Sequence, residues 1–224
     1  MNIGILALGR GTFDIKFANQ KLAECINFLE NSSHKVTGSC NLLLESEETY
    51  DEIKILKNEN LDFILIIQVT FTDASMTVNI AKEFNINFGI WAIPEPRIGG
   101  RLRLNSFCGL NLASHALSLN HIPFKWLYED PTSLKIEVFE SFIDDKNITV
   151  EPKAIFYNIS SGDAERISEK ISSYKIAKIG DHPEGFDTCR YEKNKIESLS
   201  GVTVHEFTLD KLFLTAKSIE KNEV

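Results

Sequence analysis

The stretch Asp62–Val69, DFILIIQV, places five apolar residues in a row at Phe63–Ile67. A strand usually has one wet face, which breaks such a run with alternating polar residues. An unbroken run of this length is expected for a central strand of a parallel sheet covered by helices on both faces. It is also far shorter than the ~20 residues that cross a bilayer as a helix.

The flanking sequence repeats the same alternation. NIGILAL (2–8) reads as a strand ending at Gly9 and Gly11, and 14–30 places Ala18, Leu22, Cys25, Ile26 and Leu29 on one helical face. A weaker strand is predicted near Val36–Cys40 and a helix over 46–58 with Ser46 as N-cap. After the central strand, Thr72 or Asp73 is expected to cap a helix carrying Met76, Ile80 and Phe84. A fourth strand follows at 86–93, a helix over 106–120 and a fifth strand at 124–128. Asp130-Pro131 reads as the start of a further helix with Leu134, Val138 and Phe142 on one face.

Strands and helices alternating at these lengths imply right-handed crossovers and a doubly wound parallel sheet of the Rossmann or flavodoxin kind. The expected division is an N-terminal α/β domain over 1–145, a connecting segment and helix over 146–174, and the start of a second α/β domain over 175–224. In the connecting helix, Ala164, Ile167 and Ile171 are expected to face inward. The last part supplies only two strand–helix units, fewer than a sheet needs to stand alone.

The chain has 224 residues with formal net charge −8. That balance argues against general nucleic-acid binding, which needs a basic face. The first residues, MNIGILALGRG, carry neither the basic flank nor the cleavage site of a secretory leader, so a cytoplasmic protein with no membrane association is expected. Cys25, Cys40, Cys108 and Cys189 are far apart and read as free thiols. No CxxC or HExxH spacing occurs, and the five histidines form no i, i+4 pair.

In an open α/β sheet, ligands bind beyond the carboxyl ends of the strands. Three polar segments fall there: GRGTFD (9–14), QVTFTDAS (68–75) and PEPRIGGRLRLNS (94–106). GRGTFD is neither a dinucleotide fingerprint, since position 14 is Asp, nor a phosphate-binding GK[ST] loop. Gln68 and Thr70 are unusual at the end of so apolar a strand, and Phe71 beside them suits the face of a sugar. Cys108 reads as a small buried thiol and His115 as a residue packed against a neighbouring element, while His182 lies in a turn and remains open. Arg101 and Arg103 are expected to divide the labour of this loop. One should lock the loop by pairing with a carboxylate such as Glu95. The other, Arg101 after Gly99-Gly100, should face the crevice.

QVTFTDASM, GGRLRLNSFCGLNLASHAL and KIGDHPEGFDT, in this order, resemble the L-fucose/L-arabinose isomerase family over nearly the whole chain. The resemblance implies a cytoplasmic aldose–ketose isomerase that shuttles a proton between adjacent sugar carbons through an enediol. It implies Mn²⁺ held in a C-terminal region by two acidic residues and a histidine. It also implies a trimer or hexamer in which the N-terminal domain borders a neighbour's active site. Sugar contacts of that kind would suit Arg10, Phe13, Gln68, Thr70, Phe71, Arg101, Asn105 and Ser106. The family needs roughly twice this length, and its metal ligands lie beyond this chain. The expectation is therefore the substrate-flanking, oligomer-contacting portion of such an enzyme, with no catalytic residue or metal of its own and inactive alone. It would be a fragment, a split subunit with a C-terminal companion chain, or a degenerate relative. The alternative is a non-catalytic sugar- or phosphate-binding α/β module; a nucleotide-binding Rossmann protein is disfavoured by the missing fingerprint.

Overall fold

The computed structural model of the chain describes residues 1–44, 46–144, 161–183 and 185–219. It divides into two compact units, Met1–Glu151 with Gly185–Thr188, and Pro152–Glu184 with Cys189–Val224. The expected boundary at 145/146 lies outside the described residues.

In the first unit, β1 (Asn2–Leu8) is followed by α1 (Ile15–Glu30), whose N-cap Asp14 accepts from the Phe17 N–H. The predicted weak second strand is split into β2 (Lys35–Thr37) and β3 (Leu42–Leu43), both parallel to β1. Gly38 between them has φ +122°, and a Cβ there would come within 2.7 Å of the Ile5 carbonyl oxygen. The glycine thus lets the chain pass against β1 while breaking the strand, so the sheet has six strands where five were expected. The Ser39 N–H is then held by Glu52 Oε1 at 2.6 Å. Glu52 belongs to α2 (Ser46–Leu56).

Next come β4 (Phe63–Gln68), α3 (Ser75–Glu83), β5 (Phe88–Ala92), α4 (Ser106–Leu119), β6 (Lys125–Tyr128) and α5 (Ile136–Ile143). The sheet order is β2-β1-β4-β5-β6, all parallel, with β3 also on β1, so β4 is central as its apolar run requires. Its alternate residues serve two cores. Phe63, Leu65 and Ile67 pack with α1 and α5, while Ile64 and Ile66 pack with α2, α3 and α4. This is a doubly wound sheet. The chain leaves β1 toward one edge and returns to β4 on its other side, so the order reverses between β1 and β4.

Two local predictions are corrected. Helix α3 begins at Ser75 after Ala74, not at Thr72 or Asp73. Asp73 instead folds back to accept from the Ser75 N–H at 3.1 Å. Residues 131–133 form a turn after Asp130 and α5 begins only at Ile136. That register buries Phe139 with Phe142 and leaves Val138 exposed. The α5 core pairs Phe139 with Trp91 and Phe28, with ring centroids at 6.0 and 5.3 Å.

The second unit contains α6 (Ser161–Ser172), β7 (Lys175–Ile179), α7 (Lys193–Ser200), β8 (Thr203–Phe207) and α8 (Leu209–Ser218). β7 and β8 pair in parallel as a two-stranded sheet. Here the expected inward positions Ala164, Ile167 and Ile171 are exposed, the isoleucines at 49% and 39%. A sheet of two strands is too narrow to cover the helices beside it. Ile176, Ile179 and Phe207 on the strands and Leu212, Phe213 and Leu214 on α8 are exposed as well. No helix among the described residues is long and apolar enough to cross a membrane.

Candidate functional site

The three polar segments leave β1, β4 and β5 at their carboxyl ends, which one parallel sheet carries along one edge. Two clefts open there. One, of about 420 Å³, lies at the β1/β4 reversal and is lined by Arg10, Gly11 and Thr12 from the first segment and Thr72, Asp73 and Ser75 from the second. The other, of about 290 Å³, is lined by Thr12, Phe13, Asp14, Arg101, Leu102 and Arg103. Thr12 borders both.

The deepest of the candidate polar residues are internal braces. Gln68 is fully buried, and its Nε2 donates to the Thr70 carbonyl at 2.7 Å and to Thr72 Oγ1 at 2.9 Å. Its Oε1 has no hydrogen-bond partner among the described residues. Gly109 makes room for this amide, since a Cβ there would lie 3.0 Å from Gln68 Nε2. Thr70, also fully buried, accepts from the Arg10 N–H at 2.8 Å and so ties the β1 exit to the β4 exit. Ser106, 1% exposed, donates its hydroxyl to the Ile93 carbonyl. A polar residue at the end of an apolar strand here satisfies loop backbone that would otherwise be buried unpaired.

The surface of the edge is made by the remaining candidates. Arg10 and Arg101 are exposed; Phe13, Phe71 and Asn105 are half-buried, the two phenylalanine rings 6.1 Å apart. Asn105 precedes α4 in the left-handed conformation, φ 52° and ψ 30°, without using its side chain as a cap. Asparagine tolerates that region better than most residues, but a held αL residue with an uncommitted amide is typical of functional loops.

The holding is done by Glu95. Its carboxylate accepts the backbone N–H groups of Arg103 at 2.6 Å, Leu104 at 3.0 Å and Asn105 at 2.9 Å. Glu95 therefore clamps the loop through its backbone. The arginine that locks is Arg103, and its partner is Asp14: Nε and Nη2 both lie 2.9 Å from Asp14 Oδ2. Its guanidinium also stacks 3.7 Å from the Phe17 ring centroid. The Asp14 N–H closes the tie by donating to the Arg103 carbonyl at 3.1 Å. Nothing in the local sequence marks Asp14 and Phe17 as partners of a residue nearly ninety positions away; the sheet topology alone brings them together.

The Phe17 N–H and then the Arg103 guanidinium hold the Asp14 carboxyl below the usual aspartate range. A lowered folded pKa contributes stability above the ordinary value, lost as pH falls through the folded one. Arg103→Ala is expected to lower the melting temperature by about 2–4 °C near neutrality, equivalent to about 1 kcal/mol from the lost ring stack. The ion pair, more than a third exposed on both sides, adds little. The difference between variant and parent should shrink only slightly when the pH drops low enough to protonate Asp14, because the ring stack does not titrate. Thermal melts across pH would show this, and a large change would mean that the ion pair carries the effect.

Other chemistry-bearing residues stand apart. Cys108 and His115 are exposed on α4, not packed as expected, and His182 is exposed. Cys25 is buried on α1, where loss of hydration pushes its thiol well above the usual range. All four cysteines are free. Among the described residues no three His, Cys, Asp or Glu side chains converge on a point that could hold a metal ion.

The sequence of this doubly wound α/β unit places it in a known family. Residues 4–147 match the N-terminal domain of the fucose/sulfoquinovose isomerases, and the chain belongs to that family. Among curated relatives, the sulfoquinovose isomerase of Priestia megaterium is 26% identical over 216 residues, covering 96% of this chain and 44% of the relative. That of a Clostridium species is 28% identical over 229 residues, covering 99% and 45%. The enzyme of Alkalicoccus urumqiensis is 26% identical over 158 residues, covering 70% and 32%. The chain thus spans less than half the length of the relatives it matches. The resemblance to L-fucose isomerases holds at the family level, and the relatives are named for sulfoquinovose, not arabinose.

Proposed function

We propose that this chain is the N-terminal, substrate-flanking portion of an aldose–ketose isomerase acting on sulfoquinovose, a hexose that carries a sulfonate on its terminal carbon. The observation that carries this reading is the match of 4–147 to the isomerase N-terminal domain, together with relatives named for that one sugar. Moving a hydrogen between adjacent sugar carbons needs acid–base groups at the reacting atoms, and in this family a divalent metal such as Mn²⁺. The described residues hold no donor set that fits such an ion. The metal and the reacting groups belong, on this reading, to the part of the relatives that this chain does not match.

The contribution of this chain is then binding and orientation. Phe13 and Phe71 offer apolar surface to the C–H face of a sugar ring, and Asn105 offers an amide to its hydroxyls, with the Arg101 guanidinium on the same edge. The edge borders the active site of a neighbouring subunit in a trimer or hexamer, where residues 99–101 reach across the interface. Gly99 and Gly100, at φ +74° and +81° with no atom within 4 Å of either Cβ position, leave the backbone open to such an approach.

The test compares this chain alone with the complete isomerase that includes it. The complete enzyme is expected to convert sulfoquinovose to its ketose. The chain alone should neither turn the sugar over nor bind Mn²⁺ at micromolar affinity in a calorimeter. Stoichiometric Mn²⁺ binding or turnover by the chain alone would contradict the division of labour. Failure of the complete enzyme on this sugar would contradict the substrate, and saturable sugar binding without any turnover would favour a non-catalytic binding module.

A further inference from the structure

The charge at the strand-end edge is opposite to that of the chain as a whole. The sequence carries 32 acidic and 24 basic residues, yet Arg10, Arg97 and Arg101 are all exposed there without a carboxylate partner among the described residues. The acids nearby are committed elsewhere. Asp14, the only carboxylate lining the smaller cleft, is engaged by Arg103. Glu95 is surrounded by three backbone N–H groups, and Asp73 is folded onto the Ser75 N–H and hydroxyl. Arg103 compensates the charge of Asp14, while Glu95 and Asp73 keep theirs but are held by neutral donors, so no carboxylate among the described residues pairs with Arg10, Arg97 or Arg101. Arg101 sits in the cleft with its charge unspent, on a loop fixed at one end by the Glu95 clamp.

We propose that Arg101 is a specificity-determining residue that receives the terminal sulfonate of the sugar, so that the edge selects an anionic hexose over a neutral one. This rests on the isomerase reading above. A guanidinium presents a planar fork of donors, and a sulfonate presents three equivalent acceptor oxygens with one delocalised charge, a match a neutral hydroxymethyl or methyl group cannot make. The same match would serve a phosphate ester, so the shared chemistry is a tetrahedral oxyanion on the terminal carbon. The pull on an anion comes from a residue that contributes nothing to packing, which separates specificity from fold.

The experiment uses the complete isomerase, unmodified and with Arg101→Ala or Arg101→Lys. Kinetics are measured on sulfoquinovose and on the corresponding hexose 6-phosphate. The neutral 6-deoxyhexose is assayed as a substrate or, if not turned over, as a competitive inhibitor. Arg101→Ala is expected to lower kcat/KM for sulfoquinovose about 10- to 100-fold, chiefly through KM, the size of one or two lost charge-assisted hydrogen bonds. The neutral sugar should change less than about twofold, and the melting temperature should not move. Arg101→Lys, keeping the charge but not the fork, should fall between. A loss confined to the sulfonated sugar, or shared with the phosphorylated one, supports the assignment. An equal loss on the neutral sugar, or none on sulfoquinovose, overturns it and leaves the isomerase reading standing. If the unmodified enzyme does not isomerise sulfoquinovose, both fall together.

Discussion

Trp91→Ala is expected to cost about 3–5 kcal/mol, the range for truncating a fully buried aromatic side chain. Trp91 is the penultimate residue of β5 and has no exposed surface. Its ring meets Phe28 edge-on at 5.6 Å and Phe139 at 6.0 Å. Its Nε1–H donates to the Glu129 carbonyl at 2.9 Å. The truncation therefore opens a cavity between the sheet, α1 and α5 and also orphans a carbonyl acceptor. Against a total stability of about 5–15 kcal/mol, the loss should lower the melting temperature of the first unit by about 6–20 °C. Trp91→Phe, which keeps most of the volume but removes the donor, should cost markedly less. Denaturant unfolding of the two variants separates packing from the hydrogen bond; equal losses would mean that the cavity is not the dominant effect.

Glu95→Ala is expected to have the largest effect on the binding edge. One carboxylate accepts from three successive residues, 103 to 105, and alanine leaves all three donors without their acceptor. Hydrogen bonds to a charged group are worth about 1.5–3 kcal/mol each at most, and water replaces part of that in a half-buried loop. A local destabilisation of about 1.4 kcal/mol or more corresponds to at least tenfold faster amide exchange. Hydrogen exchange should show this at 103–105 while the amides of β4 stay protected. Asn105 would then leave its left-handed conformation, and sugar affinity in the complete enzyme should fall even though Glu95 is not itself expected to touch the sugar. Unchanged exchange at 103–105 would show that the clamp is not what fixes the loop.

Much of the sheet was legible because a strand buried on both faces has nowhere to put a polar residue. Phe63–Ile67 therefore announces its central position, and the alternation with helices announces a parallel doubly wound sheet but not the order of its strands. The errors have physical causes too. Periodicity records which residues would gain from burial, not whether anything is present to bury them, so Ile167 and Ile171 were read as inward though they are exposed. The residue types at Asp130-Pro131 suit a turn as well as a helix start; the helix begins five residues later, at Ile136, with Phe139 and not Val138 in the core. The split of the second strand depended on one glycine approaching the Ile5 carbonyl, a tertiary fact.

At the edge, spacing does not separate Arg101 from Arg103, since residues i and i+2 of an extended segment share a face and both line the smaller cleft. What sets them apart is the pairing of Arg103 with Asp14. The identity of the locking partner was not readable, since Asp14 is distant in sequence. Gln68 and Thr70 show the limit of a composition cue. The polar signature was real, but Thr70 Oγ1 and Gln68 Nε2 are used to hold the exits of β1 and β4 in place. Such residues govern a site by fixing its frame, and their side chains have no surface to offer a ligand.

The interrupted β2/β3 edge has a bearing on how this chain behaves in solution. A continuous outer strand would expose a ladder of unpaired amides and carbonyls, a template onto which a foreign strand could zip. In the first sheet that template is only three residues, then a kink at Gly38, then two more. The opposite border, β6, is four residues long and begins with a lysine. The β7–β8 ribbon is less well guarded: β7 carries Lys175 and Lys178, but the strands are five residues each and unbroken, with Ile176, Ile179 and Phe207 exposed. Self-association of the purified polypeptide should accordingly begin at that ribbon, and charged substitutions at Ile176 or Phe207 should improve its solubility where similar changes near Gly38 would not.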